Sequence, residues 1–142
     1  MQKLILALLI FAVNSAFAQA RHPKTKEEII GVCNKFMDDF RAGNYGIAFA
    51  NIKPYTVIET YKLDTITGRV RNQMTTTIRV YGKALSYEEV SEKEAKNAVV
   101  RLVYLLRFEK AFLRFVFILY NNGSGWTITT FDYSENVDDL FP

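Results

Sequence analysis

Histidine and cysteine are nearly missing from this chain: His22 and Cys33 are the single instances among 142 residues. One of each cannot build a Cys/His zinc site or an ordinary Cys–His dyad. A lone cysteine cannot close an internal disulfide either, so Cys33 is a buried small hydrophobe or a free thiol. Glycine and proline are sparse, at 7 and 3 residues, which excludes a fibre, and a 49% hydrophobic content excludes disorder. Charge of one sign is lacking too. The chain has 18 Lys and Arg against 15 Asp and Glu, with no block of like charge, so it carries no electrostatic footprint for nucleic acid. Phosphate loops, nucleophile elbows and RNA-binding aromatic signatures are absent from the sequence. Glu135, Asp138 and Asp139 lack the ligand spacing of a calcium loop. No metal and no cofactor is expected.

Long apolar runs are also missing. The longest, Leu4 to Val13, has 10 residues, half of the ~20 that a spanning helix needs. Lys3 precedes it and Ala16-Phe17-Ala18 follows. This is the pattern of a cleaved secretory leader, residues 1–18, with Ala18-Gln19-Ala20 offering a second site after residue 20. No cysteine follows the run directly, so a lipid-anchored form is not expected. The expected location is secreted or periplasmic, with no membrane segment after cleavage. Asn122-Gly123-Ser124 matches a glycosylation sequon and is equally a hairpin turn.

Residues 19–24 have no periodicity and read as a disordered lead-in; residues 25–142 read as one domain. Thr25-Lys26-Glu27-Glu28 is a capping box. Behind it Ile29, Cys33, Phe36 and Phe40 form one apolar stripe, and Gly43 is placed to end the helix. Asn44 is the expected N-cap of a short helix, Tyr45 to Ile52, which Pro54 stops. From Leu63 to Tyr81 the apolar spacing predicts a third helix, against the weak propensity of Gly68 and Thr75-Thr76-Thr77; Gly82 closes it. The period then becomes two. Strands are expected over Ala84–Val90, Ala98–Glu109, Phe112–Tyr120 and Trp126–Tyr133, with a hairpin at Asn122-Gly123. The fold class is α+β: N-terminal helices packed on a curved antiparallel meander.

This order, with the segments FRAGNYGIAFANIKP, RVYGKALSYEEV, VVRLVYLLRFEKAFLRFVFILY and GWTITTFDYSENVDDLF, resembles the nuclear transport factor two-like (cystatin-like cone) superfamily. The likeness covers residues 25–141 and is to its small secreted bacterial branch. It implies a cone whose helices lie in the concave side of the sheet. In some members the cone is a catalytic cavity; in others it binds, dimerises or scaffolds.

Enzymes of this kind place Asp, His or Tyr groups on the cavity wall. With the one histidine on the lead-in, only a pair such as Tyr104 and Asp132 is left as a catalytic candidate. Against it, Asp132 opens the polar run Asp132-Tyr133-Ser134-Glu135-Asn136, which reads as a solvated strand end. Tyr104, Phe115, Phe117 and Trp126, with Phe108, could line a pocket for a small apolar ligand; the same residues equally make an ordinary core. The other sheet face carries Val99, Arg101, Val103 and Leu105 with Val116 and Ile118, too apolar for water and crossed by arginine. It is the expected interface of a homodimer. The expected function is a secreted, non-catalytic ligand-binding or protein-interaction module; the alternative is a cavity enzyme of isomerase, dehydratase or cyclase type. A buried carboxyl in an open cavity would favour the enzyme, and a filled cavity the interaction module. N-terminal sequencing of the exported protein should find Gln19 or Arg21 first, and an intact Met1 in the exported fraction would refute the leader.

Overall fold

The structure is a computed structural model that describes residues 22–138, 140 and 141. The expected leader, residues 1–18, the lead-in as far as residue 21, and Asp139 of the acidic tail lie outside the described residues. Three helices, α1 (Lys26–Arg41), α2 (Tyr45–Ile52) and α3 (Thr60–Tyr81), precede four strands. These are β1 (Ala84–Ala95), β2 (Val99–Phe108), β3 (Phe112–Asn121) and β4 (Trp126–Ser134). The strands form an antiparallel sheet in sequence order, with β1 and β4 at its edges and not closed on itself.

Local chemistry sets the helix ends. The Thr25 hydroxyl accepts from Glu28 N at 3.2 Å while the Glu28 carboxylate accepts from Lys24 N and Thr25 N. At the other end of α1, Gly43 N donates to Phe40 O and Asn44 N to Asp39 O. That pair of bonds is a Schellman stop, and Gly43 takes the left-handed φ of +83° that it requires. Asn44 holds the expected cap position of α2 but its side chain makes no capping bond. Instead Asp39, nearly buried, accepts from Lys35 Nζ at 2.8 Å and Asn51 Nδ2 at 2.7 Å, tying α1 to α2.

One strand expectation needs correction. β1 runs five residues past Val90, to Ala95. The extension is charged because it is an edge: Lys26 reaches across from α1 to Glu92 at 2.8 Å and Glu94 at 3.0 Å. It ends in a turn where Lys96 and Asn97 both have positive φ, 52° and 53°, a primed hairpin turn without a glycine to announce it. At the β3–β4 hairpin only Gly123 is left-handed. The Asn122 side chain accepts from Ser124 N and Gly125 N, so it builds the turn by hydrogen bonding.

The last residues of the lead-in are held against β4. Trp126 N donates to Pro23 O at 2.8 Å, and Lys24 Nζ reaches Ser124 O. The next link to β4 comes from the segment after α2. Thr56 bridges Ile128 in parallel, with Val57 N and the Thr56 hydroxyl both donating to Ile128 O.

The helices bury one sheet face. Phe36 of α1 is the hub: its ring lies 5.1 Å from Phe49, 5.4 Å from Phe117 and 5.2 Å from Phe131, mostly edge to face. Phe40 adds contacts to Phe115 and Tyr45 at 4.8 Å. From α3 the buried residues are Leu63, Val70 and Met74. Replacing Phe36 by alanine removes the central ring of this cluster and should cost about 3–5 kcal/mol, read as a lower denaturant midpoint; a loss under about 1 kcal/mol would show that the hub is not central.

Candidate functional site

The register divides the sequence candidates cleanly. Tyr104 pairs with Phe115, which pairs with Tyr133, and Leu102 with Phe117, which pairs with Phe131. These side chains form the helix-covered face. Arg101 pairs with Ile118, and Val103 with Val116, which pairs with Asp132; these lie on the other face. Tyr104 and Asp132 are therefore on opposite sides of the sheet, and the structure does not bring them together.

The inner face has no open chamber at the aromatic candidates. Tyr104, Phe115 and Phe117 are fully buried and Trp126 is 2% exposed. All four belong to the packed core with Phe36, Phe40 and Phe49. Tyr104 keeps its hydroxyl satisfied by donating to Asn34 Oδ1 at 2.6 Å. Beside it Tyr87 donates to Asp38 Oδ1 at 2.9 Å and to Asn34 O at 3.2 Å. Burial drives the Tyr104 hydroxyl far above the usual tyrosine range, with the charges of neighbouring groups adding to it. Tyr87 is pushed up to about 12, by burial first and then by Asp38. Burial likewise pushes the Cys33 thiol up, so it is no nucleophile. The two tyrosines give up protons reluctantly and serve as hydrogen-bond donors.

On the outer face Val103 is fully buried and Val116 and Arg114 are 6% and 7% exposed. Arg101, Leu105 and Ile118 are half-buried around them, and Val99 is exposed. Arg114 meets Asp132 Oδ2 at 3.0 Å. Asp132 thus has a cation beside it and a largely solvated carboxylate, the arrangement of an ion pair at a sheet surface.

A groove that the sequence did not single out lies between α3 and the far end of β3 and β4. It encloses about 700 Å³ and is lined by Asn72, Gln73, Thr76 and Thr77 on one side, and by Leu113, Tyr133, Ser134 and Glu135 on the other. Seven of these eight residues are polar. Gln73 accepts from the Tyr133 hydroxyl across the groove, and the Tyr133 ring stacks on Phe115 at 5.9 Å. The signal in the sequence was the threonine run itself. Thr65, Thr67 and Thr75 turn their hydroxyls back to the carbonyl four residues earlier, the usual way a helix absorbs threonine. Thr76 and Thr77 make no such bond and face the groove instead.

Among the described residues no group of three or more His, Cys, Asp or Glu could hold a metal ion, and no helix is long and apolar enough to cross a membrane. No family model, curated protein or solved structure matches the chain.

The tyrosines make a pH prediction. Tyr45, Tyr87, Tyr104 and Tyr133 all have raised affinities for their protons in the fold. The folded state binds those protons more tightly than the unfolded chain, so stability is whole below about pH 10 and falls as pH rises through the folded values. Melting temperature should drop steeply above about pH 10, and the chain should reach its full tyrosinate absorbance only as it unfolds. Full tyrosinate absorbance in a chain still folded, with no loss of melting temperature, would contradict it.

Proposed function

We propose that this protein is an exported, non-catalytic interaction module of the cone type, which acts by presenting surfaces to other proteins. The filled interior carries this reading. A cavity enzyme or a cone that holds a small apolar ligand needs room beside its acid, base or aromatic wall. Here Tyr104, Phe115, Phe117 and Trp126 pack against Phe36, Phe40 and Phe49. The single candidate pair, Tyr104 and Asp132, is split across the sheet.

Self-association is the first form of interaction this reading favours. The outer face sets Val99, Leu105 and Ile118, with Arg101, around the closed Val103–Val116 pair. Apolar side chains mixed with arginine are what protein interfaces enrich. The exported chain should therefore run as a dimer by light scattering and native mass spectrometry at micromolar concentration. Val99→Glu with Ile118→Glu should shift it to monomer while lowering the melting temperature by only a few degrees. A monomer that retains a small apolar molecule in native mass spectrometry would replace this reading with ligand binding.

A further inference from the structure

The two edges of the sheet are treated differently. β1 is defended in the ways natural edges are: Glu88, Glu89, Glu92, Lys93 and Glu94 crowd it, and its register shifts twice, between Ala84 and Ser86 and between Glu89 and Ser91. β4 has no such defence. Its residues from Thr129 to Ser134 include one charged side chain, Asp132, and no proline. Its first half is covered instead. Pro23 takes the Trp126 N–H, Tyr55 O takes the Thr127 hydroxyl, and Val57 donates to Ile128 O. Beyond Ile128 no backbone group on that side of β4 has a backbone partner among the described residues.

We infer that the open half of the β4 edge, with the groove under α3, takes an extended peptide segment of a partner protein as an added strand. This rests on reading the chain as an interaction module. Five observations point to this occupant. The chain already docks an extended segment of its own, Thr56-Val57, on the same edge one step back, so a visiting strand would continue an existing pairing. Tyr133 and Ser134 belong both to the open edge and to the groove, so a strand laid there would place alternate side chains among Asn72, Thr76 and Thr77. These polar side chains make no hydrogen bond within the described protein and are free to bond a ligand. Thr130 to Ser134 spans about 17 Å, enough for roughly five paired residues. Glu135, which has no ion-pair partner among the described residues, lines the end of the groove and favours a lysine or arginine there. The ligand is thus an extended, small-side-chain polar peptide with a basic residue. A second copy pairing β4 to β4 is the rival that the test must separate.

Selection of a random ten-residue phage library against the full-length exported protein yields the probe, a synthetic copy of the most enriched peptide. Hydrogen exchange with and without the probe should show added protection in residues 129–135 and none in β1. Thr130→Lys, which gives the edge a charge of the kind β1 carries, and Thr76→Trp, which fills the groove, should each weaken probe binding at least tenfold. Both sites are exposed, and melting temperatures confirm that the variants fold. Glu88→Ala on the other edge should leave binding unchanged. Enrichment of no peptide, protection in β1 or on the outer face, or protection of residues 129–135 that rises with protein concentration alone would each overturn the inference. A dimer found by light scattering alongside any of these would leave the interaction reading standing, whereas a monomer with a retained apolar molecule would remove both.

Discussion

The packing of Phe36 against the inner face of the sheet is the contact on which the rest of the structure depends. One α1 side chain meets rings from α2, β3 and β4 at centroid distances between 5.1 and 6.4 Å. Edge-to-face rings fill space in several directions at once, so the helix layer settles close on the strands. Closeness has a chemical result. Polar groups cannot be carried into that interior without partners, and those that enter do so in satisfied pairs at its side. Tyr104 finds Asn34, and Tyr87 finds Asp38. A wall of protonated tyrosine hydroxyls whose bonds are already made is stable and chemically quiet.

With the interior packed, the exterior of the sheet is what a second molecule meets first. The sheet is open, and its exterior is unequal. One edge carries acids and register breaks, and the other is half covered by the chain's own extended segments. The connection from α2 to α3 acts as a strap along β4, and the α3 helix then departs from the edge toward the β2–β3 hairpin. There Lys110 N donates to Tyr81 O and Lys83 N to the Glu109 carboxylate. Gly82, at φ +83° and ψ −164°, makes the reversal into β1. The groove is the space between a helix fixed at both ends and a strand it does not cover.

Much of this was legible because local and long-range demands agreed. The capping box at Thr25, the stripe Ile29-Cys33-Phe36-Phe40 and the alternation of β2 and β3 each follow from periodicity, and burial uses the same residues. What was not legible depended on neighbours. The charged end of β1 looks like loop by composition, and is strand because it pairs with β2 as far as Ala95 and Val99, with Lys26 of α1 bridging Glu92 and Glu94. Lys96 and Asn97 form a primed turn without glycine because the two strands close there. Alternation in β2 and β3 set Tyr104 and Val103 on different faces, but the bulge at Thr129 reverses the parity of β4. That reversal puts Phe131 and Tyr133 on the inside with Ile128, and leaves Asp132 outside. A pairing of Tyr104 with Asp132 could not be judged without that one extra residue.

The buried cysteine acquires a meaning from the same packing. Cys33 sits within the α1 stripe, wholly shielded, in a chain with no second thiol to join. Its sulfur can meet an oxidant or a foreign thiol only when α1 lifts from the sheet, which is when Phe36 leaves its neighbours. The residue is therefore a built-in reporter of the opening that parts α1 from the sheet. The rate at which a thiol reagent marks it equals the rate at which the whole aromatic interior comes apart, provided capture outruns reclosure.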